Sequence, residues 1–120
     1  MADIQPGTVE SRFAQLLWET EPVSSSDIVK MAEERFGWKK STTFTVLRRL
    51  CDKGIFINEK GTVSALVSQQ DFYSMQSERF VEDTFGGSLP AFLAAFTKRK
   101  KLSDTEISQL RQMIEDFGEG

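Results

Sequence analysis

A mainly α fold carrying one small β-hairpin is predicted by three observations. Apolar residues recur at helical spacing over the first fifty residues and again after residue 68. Glycines stand where those runs stop, at Gly37, Gly54 and Gly86-Gly87. Between them lie two β-prone runs, Ile55-Phe56-Ile57-Asn58 and Thr62-Val63-Ser64-Ala65-Leu66-Val67, around the turn-like Glu59-Lys60-Gly61.

Each element has its own signal. Phe13, Leu16 and Leu17, flanked by Trp18, predict a first helix over about Ser11 to Glu19, closed by Glu21-Pro22. Ser24 followed by Asp27 reads as a capping box opening a second helix, with Ile28, Val29, Ala32 and Phe36 on its apolar face. Gly37 is placed to end it in a left-handed cap. A third helix is expected from Lys40 or Ser41 to Lys53, with Gly54 as its stop. The order helix, helix, helix, hairpin is that of a winged helix-turn-helix over residues 8–68.

Residues 69–120 are expected to form a C-terminal helical dimerisation segment. Ser68 and Asp71 cap a helix running to Phe85; Ser88 and Pro90 start a short one through Phe96. Lys98 to Lys101 form a basic connector, and Ser103-Asp104-Thr105-Glu106 is a capping box for a last helix to Phe117. The ends, Met1 to Thr8 and Gly118 to Gly120, are expected to be loose.

Composition narrows the chemistry. The 120 residues contain no histidine and one cysteine, Cys51. Imidazole-dependent nucleophile arrangements are thereby excluded, and a zinc site would need almost only carboxylates. No spacing among the acidic residues singles out a catalytic pair. The expectation is a non-enzyme without metal or cofactor. No run is long and apolar enough to cross a bilayer, and Met1 to Gly7 lacks the pattern of a secretory signal, so a cytoplasmic location is expected. Cys51 falls on the apolar face of the third helix and reads as packing.

The formal net charge of −3 hides a strong local asymmetry. Residues 35–53 carry six cations (Arg35, Lys39, Lys40, Arg48, Arg49, Lys53) against Asp52 alone, a local +5. On a helical wheel Thr43, Val46, Leu47, Leu50 and Cys51 form a core stripe. Ser41, Thr45, Arg48, Arg49 and Asp52 face the other way, with Thr42 and Phe44 at the margins. Short hydroxyls can meet base edges or phosphates, a threonine methyl can pack on a thymine methyl, and guanidinium can fork onto guanine. Lys39, Lys40, Ser41, Thr42, Thr45, Arg48 and Arg49, with Lys60 at the wing tip, are therefore the candidate DNA-binding residues. Trp38 anchors the turn or touches the DNA backbone.

The run Gly37-Trp38-Lys39-Lys40-Ser41-Thr42-Thr43-Phe44-Thr45-Val46-Leu47-Arg48-Arg49-Leu50, continuing through Lys53-Gly54, resembles the recognition-helix signature of the BlaI/MecI/CopY penicillinase-repressor family. Phe85-Gly86-Gly87-Ser88-Leu89 is similar too, and the likeness covers nearly the whole chain. It implies a homodimeric repressor on a dyad-symmetric operator of double-stranded DNA, often upstream of β-lactam resistance or copper-handling genes. Members usually open the third helix with Ser-Pro-Lys-Thr. Here Lys39-Lys40-Ser41-Thr42 stands instead, so the resemblance carries over most directly to Thr42 and Thr45. The cysteine-rich tail of copper-responsive members has no counterpart in Glu115-Asp116-Phe117-Gly118.

Ile107, Leu110, Met113, Ile114 and Phe117 in the last helix, with Leu89, Phe92, Leu93 and Phe96 before it, form the candidate dimerisation surface. The alternative is that they pack back on the winged-helix domain. In β-lactam-responsive relatives a membrane sensor triggers proteolysis in this segment. The corresponding bond here joins Ala95 and Phe96, where those relatives have Asn before Phe, and a sensor protease is the implied partner. The competing function is a winged-helix protein–protein module without direct DNA readout.

Overall fold

The computed structural model describes residues 8–119. The elements run α1 (Val9–Thr20), β1 (Val23–Ser24), α2 (Ser25–Phe36), α3 (Lys40–Asp52), β2 (Phe56–Glu59), β3 (Thr62–Ala65), α4 (Gln69–Phe85), α5 (Leu89–Thr97) and α6 (Asp104–Glu119). The chain divides into two compact units, one ending at Gln76 and one beginning at Ser77.

In the first unit, local chemistry sets the helix boundaries. Thr8 Oγ1 accepts from the Ser11 amide at 3.2 Å, so α1 starts earlier than its apolar spacing predicts. Ser24 Oγ likewise accepts from the Asp27 amide at 3.1 Å to open α2. Gly37 closes α2 with φ 69°, and its amide reaches the carbonyls of Ala32 and Glu33. Only glycine holds that left-handed geometry without a Cβ penalty. Helix α3 ends at Asp52, one residue before the expected Lys53.

The hairpin forms as expected and gains a partner that spacing alone does not reveal. Strands β2 and β3 pair antiparallel, Phe56 opposite Ala65 and Glu59 opposite Thr62. The two-residue β1 adds to the free side of β3, Val23 opposite Val63, giving the order β1-β3-β2. The Ser25 amide donates to the Gly61 carbonyl at 2.7 Å, tying the hairpin turn to the start of α2.

Phe13, Leu17, Ile28, Leu50, Ile55, Phe56, Val63 and Phe72 form a fully buried core. Burying such side chains contributes roughly 1.5–3 kcal/mol each. Trp18 lies against Phe56 at 5.1 Å and Phe72 at 5.5 Å between ring centroids. Its indole Nε1 donates to the Val67 carbonyl at 2.9 Å. One side chain of α1 thus fixes the exit from the hairpin and the first turn of α4.

In the second unit, Phe85, Phe92 and Phe80 meet edge to face at centroid distances of 5.7 to 6.1 Å, and Phe96 continues the row from Phe92 at 6.1 Å. Ser88 caps α5 through the Ala91 amide, with Pro90 in its first turn. The capping box of α6 is reciprocal: Ser103 Oγ accepts from the Glu106 amide at 3.1 Å, and the Ser103 amide donates to Glu106 Oε1 at 3.0 Å. The bond from the Ser103 amide, helped by the Ser103 hydroxyl, holds the exposed Glu106 carboxyl below its ordinary value of 4.5. Among the described residues of this unit none is fully buried.

The expectation of loose ends is corrected at Thr8 and at Gly118 and Glu119. Thr8 is the α1 cap, and α6 continues through Gly118 to Glu119 because Gly118 stays right-handed helical. Met1 to Gly7 and Gly120 lie outside the described residues.

Candidate nucleic-acid interface

Helix α3 is held from behind. Thr43, Val46, Leu47 and Leu50 are buried, and Cys51 is half-buried against the same core. Burial pushes the Cys51 thiol up, and the neighbouring Asp52 carboxylate adds to the rise. That suppresses the thiolate, in keeping with a packing role. Thr43 is the one buried polar side chain of this core among the described residues, and its hydroxyl reaches the Lys39 carbonyl at 3.4 Å. Trp38 lies between Phe13 at 5.2 Å and Phe36 at 5.0 Å. It is therefore the anchor of the turn before α3.

The opposite face is open. Lys39, Lys40, Ser41, Thr42, Thr45, Arg48 and Arg49 are all exposed. Lys39 occupies the N-cap position and supplies no side-chain cap bond, as expected where neither serine nor proline opens the helix. The Lys40 ammonium stands 5.9 Å from the centroid of the Phe44 ring. Thr45 Oγ1 donates back to the Ser41 carbonyl at 2.9 Å. Thr45, Arg48 and Arg49 come together with Phe44 and Asp52 around a shallow surface concavity. Lys40, Ser41 and Thr42 of the same helix, and Lys39 at its N-cap, do not line that concavity. Lys60 is exposed at the hairpin turn, with a φ of 51°. Asn58 Oδ1 accepts from the Gly61 amide at 3.1 Å and stiffens that turn.

One feature escapes a wheel reading. Lys53 counts toward the local +5, yet its ammonium pairs with Glu10 of α1 at 2.8 Å. The cations on the open face of α3 are therefore Lys39, Lys40, Arg48 and Arg49. Phe44 and Asp52 line the concavity from the margin and the outer face where the wheel puts them, although neither is among the candidate DNA-binding residues.

The candidate dimerisation residues all fall in the second unit. Leu89, Phe96, Met113, Ile114 and Phe117 are exposed, Ile114 by 65 % and Phe117 by 80 %. Phe92, Leu93, Ile107 and Leu110 are half-buried. The exposed Ala95 and Phe96 lie within α5, so the bond between them is in helical backbone. Among the described residues no helix is long and apolar enough to cross a membrane, and no cluster of acidic, cysteine or histidine side chains is arranged to hold a metal ion.

Three helices followed by a hairpin within a three-stranded sheet, the third helix outward-facing and basic, define a winged helix-turn-helix protein. Comparison with known sequences then assigns it. The description of the penicillinase repressor family matches residues 6–116, and the chain belongs to that family. It is 22% identical to the methicillin resistance regulatory protein MecI of Staphylococcus epidermidis, over 89% of this chain and 90% of that protein. It is 24% identical to the penicillinase repressor of Staphylococcus aureus, over 85% and 84%. An uncharacterized 16.5 kDa protein in the ptsI 3' region of Latilactobacillus sakei is 27% identical, over 89% of this chain and 76% of that one.

Proposed function

We propose that this chain is a sequence-specific DNA-binding transcriptional repressor acting as a homodimer on a dyad-symmetric operator. The observation that carries the reading is the division of α3, whose one side is buried in the core while hydroxyls and guanidiniums stand exposed on the other. The 13 residues of α3 span about 20 Å, enough to lie in a B-form major groove. Lys39, Lys40, Ser41, Thr42, Thr45, Arg48 and Arg49 face the duplex, and Lys60 on the wing meets backbone phosphate. Residues 8–68 bind DNA and residues 69–120 dimerise.

Pairing of two chains is supported by the second unit, where apolar side chains of α5 and α6 stay exposed and none of the described residues is fully buried. A surface of that kind calls for a partner, and two-fold pairing matches a palindromic site. The regulated genes concern antibiotic resistance, as the names of the relatives indicate, and the protein works in the cytoplasm. Cleavage between Ala95 and Phe96 by a sensor protease relieves repression; α5 must unwind locally for that bond to enter a protease.

Selection from a randomised duplex pool, followed by titration at several salt concentrations, tests the reading. Enrichment of a palindrome, with affinity falling steeply as salt rises, is the expected result. No enrichment, or binding indifferent to salt, overturns it in favour of a protein-docking winged helix.

A further inference from the structure

Thr45 is exposed on α3, and its hydroxyl is already committed. The proton goes to the Ser41 carbonyl at 2.9 Å, one turn back along the same helix. Such i to i−4 bonds satisfy a threonine locally and fix its side-chain rotamer. While that bond holds, the hydroxyl has no proton to donate to a base or a phosphate. The other branch at Cβ, the methyl group, diverges from the hydroxyl by the tetrahedral angle and so points away from that bond.

The surroundings of Thr45 suit an apolar visitor. Beside it in the concavity lies the half-buried ring of Phe44, and Arg48, Arg49 and Asp52 complete the wall. Thr45 and an aromatic residue thus share one hollow with two arginines and an aspartate. Of the groups displayed in the major groove, only the thymine C5-methyl is apolar. We propose that Thr45 reads the operator through its methyl group, seating a thymine methyl against Phe44, and that its hydroxyl takes no donating part in readout. Arg48 and Arg49 are then free to fork onto a neighbouring guanine or to clamp phosphate. The proposal rests on the DNA-binding reading above and deepens it.

The probe is the palindromic duplex recovered by selection, remade with each thymine replaced singly by deoxyuridine, which deletes the methyl and nothing else. One thymine per half-site is expected to respond, with binding weakened about four-fold, the value of one lost methyl burial. Thr45→Val keeps the methyl and removes the hydroxyl; it should bind within two-fold of the natural protein and keep the uracil penalty. Thr45→Ser keeps the hydroxyl and removes the methyl; it should bind thymine and uracil duplexes equally, both weakly. Thermal melting of both variants verifies that the fold is unchanged. If no uracil replacement weakens the natural protein, or if Thr45→Val loses affinity while Thr45→Ser retains it, the methyl reading falls and the repressor reading stands. If selection enriches no sequence at all, the repressor reading falls with it.

Discussion

Thr43 and Thr45 stand two residues apart on α3 and meet opposite environments. Both hydroxyls turn back to a carbonyl of the preceding turn, but Thr43 is fully buried and Thr45 is open. The difference is a rotation of 200° about the helix axis, and it divides packing residues from those available to a ligand. Arg48→Ala should therefore weaken specific DNA binding by roughly 1–3 kcal/mol if the guanidinium reads a base. Its melting temperature should stay unchanged, because Arg48 is exposed. A variant that melts early while binding normally would show that the guanidinium is structural. Trp38→Ala should behave in the opposite way. It removes a ring packed between Phe13 and Phe36, and a loss of about 3 kcal/mol is expected in denaturant unfolding.

At the scale of elements, caps and turns carry much of the definition. Lys60 sits at φ 51°, a region that costs a residue with a Cβ about 1 kcal/mol. Lys60→Gly should relieve that strain and raise the unfolding midpoint slightly while weakening DNA binding and flattening its salt dependence. Unchanged binding would remove the wing from the interface. Glu106 supplies a pH-dependent prediction. Its carboxyl titrates below 4.5 in the folded chain because the Ser103 amide and hydroxyl side favour the charged form. A depressed folded value means that its contribution to stability is present above about pH 4.5 and is lost as the pH falls through the lower folded value. Glu106→Gln should abolish that acid-range change in the melting of α6; an unaltered pH profile would exclude the box as its source. These signals were legible in the chain because a cap, a left-handed glycine and a capping box act over three or four residues. Strand β1 was not, since two residues cannot display a period of two and its pairing with Val63 and Thr62 comes from 38 or more positions away.

For the molecule as a whole, charge and apolar surface are distributed more unevenly than the totals suggest. The acid excess belongs to residues 71–120, while the open face of α3 holds four cations. In the second unit the most exposed apolar side chains, Ile114 and Phe117, lie on α6. Ile114→Asp changes a side chain that the isolated chain leaves open, so helical content should survive. Sedimentation should then show monomers, with operator affinity reduced at least ten-fold because one recognition helix replaces two. A dimer that persists would place the pairing surface elsewhere.

Spacing along the chain by itself determined the six helices, the hairpin, the glycine stops and the two faces of α3. Each of those depends on neighbours within a turn or two, where residue order and geometry are the same thing. Tertiary structure alone decided that Lys53 is neutralised by Glu10, that Trp18 seals the hairpin exit through Val67, and that Phe72 of α4 belongs to the first core. It also decided that Thr45 turns its hydroxyl back to the Ser41 carbonyl. Such pairings arise when distant surfaces meet or when a side chain selects one rotamer among its neighbours, and no periodicity in the sequence encodes either choice.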